Sequence, residues 1–324
     1  MRDVATYSTL ISDYMKDRFP PQEPVNLYEP IHYILHLGGK RLRPVLTLMA
    51  CEIFGSPYQK ALDAALAVEV FHNFSLIHDD IMDDAPLRRG SSTVHERWDI
   101  NTGILSGDAM LIKAYQLFEN YEGETFRQLA MLFSKTALEV CEGQQYDIDF
   151  ETREDVTLPE YLKMIEFKTA VLVAAALQMG GIVAGASKRC CELIYEFGRN
   201  LGIAFQLQDD YLDAFGDPET FGKQVGGDII ENKKTFLYLT ALERADEEDA
   251  AALRHLFSIN PADATEKIAT VKQQFESTGA AQATREEIER YTEKAFAVLN
   301  EINISQESKD QLRAFGEQLM QRNV

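Results

Sequence analysis

Apolar residues recur at spacings of three and four along most of the chain. Leu105, Ala109, Ile112 and Leu117 form one stripe, and Leu129, Leu132, Phe133, Thr136 and Val140 form another. That is the period of a helix with one face against a core. Prolines are sparse, and the gaps 86–159, 159–218 and beyond 261 leave room for long uninterrupted helices. Period-two alternation bounded by Asn-Gly or Asp-Gly turns is absent, so no hairpin is expected. There is no internal repeat and no low-complexity tract. The pattern predicts an all-α protein, one domain over residues 1–324, with extra helices after Pro261.

Composition narrows the function. Of the 324 residues, 45% are hydrophobic and 26% charged, the proportions of a globular protein. Lys+Arg number 32 against 52 Asp+Glu, a net charge of −20, which argues against a nucleic-acid partner. Small anionic ligands stay open, because a few cations gathered in one cleft outweigh a distant acidic surface. Cys51, Cys141, Cys190 and Cys191 include no C-x-x-C pair, so a reducing, cytoplasmic setting is expected. The first eight residues lack the basic and apolar regions of a signal peptide. The uncharged stretch 169–187 contains Gln178, Gly180, Gly181 and Gly185 and reads as a buried core helix, not a transmembrane segment. The acidic run 243–249 reads as a solvated helix end.

Two aspartate clusters carry the candidate chemistry. Asp79-Asp80-Ile81-Met82-Asp83-Asp84 and Asp209-Asp210-Tyr211-Leu212-Asp213 both have the form D-D-x-x-D. On a helix, Asp79 and Asp83 project from one face, as do Asp209 and Asp213. Like charges at that spacing repel and call for compensating cations. Hard carboxylate oxygens without His or Cys partners suit Mg²⁺ shared with substrate phosphates. Cations alternate with the clusters: Gly38-Gly39-Lys40-Arg41-Leu42-Arg43-Pro44, then Arg88-Arg89-Gly90, then Lys223, Lys233 and Lys234. Guanidinium forks and ammonium groups beside glycines are what diphosphates require.

With these motifs in this order, from Gly38 to Thr235, the sequence resembles a trans-isoprenyl diphosphate synthase of the farnesyl/geranylgeranyl type. The resemblance implies a single large antiparallel helix bundle around a deep central cavity, usually a homodimer, with both aspartate motifs facing that cavity and holding three Mg²⁺ ions. It implies that Lys40, Arg43, His72 and Arg89 bind the diphosphate of isopentenyl diphosphate, and that Arg88, Lys168, Lys223 and Lys233 bind the allylic diphosphate (dimethylallyl, geranyl or farnesyl). Asp79, Asp83 and Asp209 match metal ligands, Lys168, Thr169 and Gln206 lie beside the developing carbocation, and Asp80, Asp210 and Asp213 support the ligands.

The chemistry so implied is ionisation of the allylic diphosphate, attack by the isopentenyl double bond and loss of a proton to the released diphosphate. Phe74, five residues before Asp79, and Phe71, eight before, match positions whose bulk stops chain growth. The pattern implies a C15 to C20 product, leaning to C20. His78 is read as a packing residue, as are His95 and Trp98; His32 and His36 form an i,i+4 pair without a third ligand. Three alternatives stand beside this reading: a class I terpene cyclase, a head-to-head synthase and a non-catalytic subunit of a partner synthase. A cyclase would normally lack the Gly38–Pro44 segment, and a scaffold subunit usually has a degraded motif.

Overall fold

The computed structural model describes residues 2–217 and 225–321. It is all-α apart from one two-residue ladder. Two compact units make up the chain, Met1–Thr136 with Ala175–Tyr195, and Ala137–Ala174 with Glu196–Val324. In chain order the helices are α1 (Val4–Arg18), α2 (Val25–His36), α3 (Leu42–Ile53), α4 (Leu62–Met82), α5 (Val94–Arg97), α6 (Ile100–Phe118), α7 (Gly123–Thr152), α8 (Leu158–Ile165), α9 (Val171–Ala184) and α10 (Lys188–Phe215). They continue with α11 (Gly227–Ile230), α12 (Phe236–Arg244), α13 (Glu247–Leu256), α14 (Thr265–Ser277), α15 (Ala280–Glu301) and α16 (Gln306–Met320).

Local sequence sets the helix ends. Asp3 caps α1 by accepting from the Thr6 N–H, and Thr157 with Glu160 forms a reciprocal capping box on α8 with Pro159 in its first turn. The acidic run 243–249 begins α13: Asp246 is its N-cap, and Glu247, Glu248 and Asp249 fill the first turn, where the helix dipole favours them. Helix α8 passes through a π-helical turn, Glu166–Ala170, into α9. The continuous segment Leu158–Ala184 is long and apolar enough to cross a membrane, yet most of its apolar window is buried, as expected for a core helix.

Two expectations need correction. The stripe Leu105, Ala109, Ile112 and Leu117 is not the core face of α6. Leu105 and Ile112 are 60% and 58% exposed, and the buried face is Gly103, Ser106, Gly107, Met110 and Ala114 with Leu117 and Phe118. The second stripe behaves as expected, with Leu129, Phe133, Thr136 and Val140 buried. A hairpin also exists: Leu87–Arg88 (β1) pairs antiparallel with Ser91–Ser92 (β2). Its two turn residues, Arg89 and Gly90, both have positive φ, the two-residue turn whose twist matches the strands. Arg-Gly replaces the usual Asn-Gly signal, so alternation and turn type gave no warning.

Candidate functional site

The first unit assembles the first cation and aspartate groups. After α2, Gly38 and Gly39 (φ 84° and 120°) and Arg41 (φ 48°) turn the chain into α3. Arg41 is buried. Its guanidinium donates to Glu69 at 2.9 Å and to the Leu35 carbonyl at 2.7 Å, and Asn73 donates to the same Glu69 carboxylate at 3.0 Å. That anchor fixes a loop presenting exposed Lys40 and, at the start of α3, half-buried Arg43.

Arg43 Nη1 lies 3.2 Å from His72 Nε2. Burial, with Arg43, Arg89 and Arg88 nearby, holds His72 well below the ordinary imidazole range. It is therefore neutral at neutral pH, accepting at Nε2 and carrying its proton on Nδ1. Arg89 donates to the Gly38 carbonyl, and a Cβ on Gly39 would stand 2.9 Å from its guanidinium carbon. Gly39 thus makes room for Arg89, a side chain of this chain.

Asp79 is half-buried and Asp83, the C-cap of α4, is exposed; the Asp83 N–H donates to the Asp79 carbonyl at 2.9 Å. Asp80 is buried and gripped by Arg88, whose Nε and Nη2 lie 2.6–2.9 Å from its oxygens. Burial raises the Asp80 pKa and Arg88 opposes the rise. Asp79, Asp80, Asp83 and Asp84 crowd the C-terminal end of α4, where the helix dipole is already negative. One floor up the same helix, Phe71 is fully buried and Phe74 is 8% exposed. Phe71 meets Phe74 at 5.5 Å and Phe133 at 5.2 Å between centroids, and Phe133 meets Phe118 and Tyr115 at 5.1 and 4.7 Å.

The second unit places Lys168, Thr169, Gln206 and Lys233 around one cavity, whose lining does not include Asp209. The lining also includes Asp147, Tyr161, Asp210 and Asp228. Lys168 and Thr169 sit on the π turn, a feature found often at functional sites. Two glycines admit it. A Cβ on Gly143 of α7 would lie 2.2 Å from the Lys168 nitrogen, and one on Gly202 of α10 would lie 2.7 Å from the Ala170 Cα. Lys168 Nζ pairs with Asp147 at 2.5 Å.

A directed relay links the polar groups: Thr169 donates to Gln206 Oε1 at 3.0 Å, Gln206 Nε2 donates to Asp210 at 2.8 Å, and the Tyr161 hydroxyl donates to Asp210. Asp213 accepts from the Asp228 N–H at 2.9 Å and so holds the turn into α11, while Asp209 is half-buried beside buried Asp210. Burial raises both Asp210 and Asp228 well above the usual carboxylate range. Lys233 pairs with Glu231 at 3.1 Å; burial would lower its pKa, but the carboxylates of Glu231, Asp228 and Asp147 raise it overall, so it stays an ammonium. Lys234 instead donates to the Phe150 and Glu151 carbonyls at the end of α7. Lys223 lies outside the described residues.

Glu69, Asn73, Asp147, Tyr161, Asp228 and the two glycines at the π turn were not singled out by the sequence. His32 and His36 stack at 3.9 Å, with His36 Nδ1 2.7 Å from the His32 carbonyl, a helix-local contact.

The sequence and fold are also similar to those of known proteins. A geranylgeranyl diphosphate synthase of Methanosarcina mazei is 42% identical over 249 residues, 76% of this chain and 77% of that protein. A geranylfarnesyl diphosphate synthase of Natronomonas pharaonis is 38% identical over 87% of this chain and 86% of its own. Among solved structures, a geranylgeranyl pyrophosphate synthase superposes with a TM-score of 0.96 at 57% identity, covering 100% of both chains. Another, from Corynebacterium glutamicum and complexed with isoprenyl diphosphate and magnesium, gives 0.85 at 30% identity over 99% of this chain and 98% of that one. Residues 24–275 match the Polyprenyl synthetase family, and the chain belongs to it.

Proposed function

We propose that the protein is a divalent-metal-dependent prenyltransferase that joins isopentenyl diphosphate head-to-tail to dimethylallyl, geranyl or farnesyl diphosphate, giving a trans product of C15 to C20, with C20 favoured. The observation that carries this reading is an aspartate motif with fixed cations in each unit: Arg88 grips Asp80 in the first, and in the second Lys168 is held by Asp147 while the charge of Lys233 acts on Asp210.

The donor set fits Mg²⁺. Asp79, Asp83 and Asp209 are hard oxygen donors, and the crowding of acids at the negative end of α4 is a standing cost that cations relieve. These three residues would hold the ions, three in number as the family resemblance implies. Bound Mg²⁺ supplies Lewis acidity that stabilises the departing diphosphate.

The rest is done by the chain. Lys40, Arg43, Arg89 and the Nδ1–H of neutral His72 receive the diphosphate of isopentenyl diphosphate. Arg88, oriented by Asp80, receives the allylic diphosphate with Lys168, Lys233 and Lys223. Because Thr169 donates its proton to Gln206, its lone pairs are left for the positive charge that develops at the allylic carbon. Asp210, accepting from Gln206 and Tyr161, fixes that orientation. The isopentenyl double bond attacks the allylic carbon, and the released diphosphate takes the final proton. Phe74, backed by Phe71 and the Phe133 cluster, forms the floor that stops chain growth.

The outward face of α6, with Ile104, Leu105 and Ile112 exposed, supports a homodimer. Buried Cys51 and Cys191 and the other two free thiols fit a cytoplasmic setting.

Asp79→Ala and Asp209→Ala each should abolish nearly all turnover at saturating Mg²⁺ while the helical circular dichroism stays unchanged. Turnover like wild type in either variant would overturn the metal assignment.

A further inference from the structure

Gly107 lies in the middle of α6, on the face packed against α4, and does not need the left-handed region. What it supplies is space. A Cβ at this position would stand 2.3 Å from His78 Nε2, 2.6 Å from Cδ2 and 3.2 Å from Cε1, so the imidazole lies directly over the glycine. The same ring nitrogen is 3.2 Å from the Ile104 carbonyl of α6 and 4.0 Å from the Asp108 carboxylate. One turn back along α4, Phe74 meets the His78 ring edge-to-face, with centroids 4.8 Å apart at 66°. Gly103, the other glycine on this face, would bring a Cβ within 2.8 Å of Ile81 Cδ1, the movable end of an aliphatic chain. The tight fit is therefore at Gly107.

We propose that Gly107 is a positioning residue for product length: it seats His78 against α6, and His78 braces the Phe74 ring that ends the chain channel. This rests on Phe74 being the floor, as proposed above. An alanine at 107 evicts the imidazole, the bond to the Ile104 carbonyl is lost, and Phe74 loses its edge partner and yields to a longer chain.

The test sizes products of the full-length Mg²⁺-loaded enzyme at equal consumption of isopentenyl diphosphate, for wild type, Phe74→Ala, Gly107→Ala, His78→Ala and the Gly107→Ala/His78→Ala pair. Gly107→Ala and His78→Ala each should yield a fraction one isoprene unit longer than the wild-type product. The pair should match His78→Ala alone, because no ring is left to displace. If Phe74→Ala lengthens the product while Gly107→Ala and His78→Ala leave it unchanged, the positioning role is overturned and the floor stands. A pair longer than either single variant also overturns it, since the two would then act separately. An unchanged Phe74→Ala product removes the floor and the inference with it. Should Gly107→Ala not fold, His78→Ala decides alone, since it removes atoms and creates no clash.

Discussion

Arg41 and Arg43 stand two positions apart in one basic motif and have opposite roles. Arg41 spends its guanidinium on buried Glu69 and the Leu35 carbonyl, whereas Arg43 reaches neutral His72. Lys40→Ala or Arg43→Ala should therefore raise the KM for isopentenyl diphosphate roughly ten- to hundredfold, from about 1.5–3 kcal/mol per charge-assisted bond. The KM for the allylic substrate should move far less; an equal effect on both would mean that the two diphosphate sites are exchanged. Glu69→Ala leaves a buried guanidinium without its carboxylate and should cost about 3–5 kcal/mol of stability, read as a lower denaturant midpoint. An unchanged midpoint would contradict the anchor. The aspartates and cations were legible because each motif is local and its spacing projects side chains to one face. Glu69 was not, since its partner lies 28 positions away and its apolar neighbours say that it is buried but not which cation meets it.

Among the elements, the π turn depends most on its surroundings. Lys168 and Thr169 occupy it only because Gly143 and Gly202 let α7 and α10 approach its backbone. A Cβ at 143 would meet main-chain atoms, which cannot swing aside. Gly143→Ala should move the turn and lower kcat by on the order of a hundredfold, as expected for a displacement near 1 Å, with the helical content kept. A wild-type kcat in that variant would mean the turn does not depend on the glycine. Sequence periodicity found the helices on either side but could not see the turn, whose extra residue is imposed by packing. It also misjudged α6. Leu105 and Ile112 recur with helical spacing because one face is apolar, and period alone does not say whether the cover is the core or a second copy of the chain. The buried face, built on Gly103, Ser106 and Gly107, looked too polar and too small to be one.

Over the whole molecule, a net charge of −20 coexists with cations gathered in a few motifs, and such local clusters can attract small anions despite a distant acidic surface. Each unit brings one aspartate motif and one group of cations. The proposed enzyme extends an allylic diphosphate with isopentenyl units and stops at C20 or below. Purified protein with Mg²⁺, labelled isopentenyl diphosphate and dimethylallyl, geranyl or farnesyl diphosphate in turn, with products sized as alcohols after phosphatase treatment, tests it directly. Linear trans products ending at C15 to C20 are expected, C20 dominant, with one diphosphate released per isopentenyl unit consumed and no hydrocarbon from an allylic diphosphate alone. A cyclic hydrocarbon formed without isopentenyl diphosphate, or a main product beyond C20, would contradict the proposed activity.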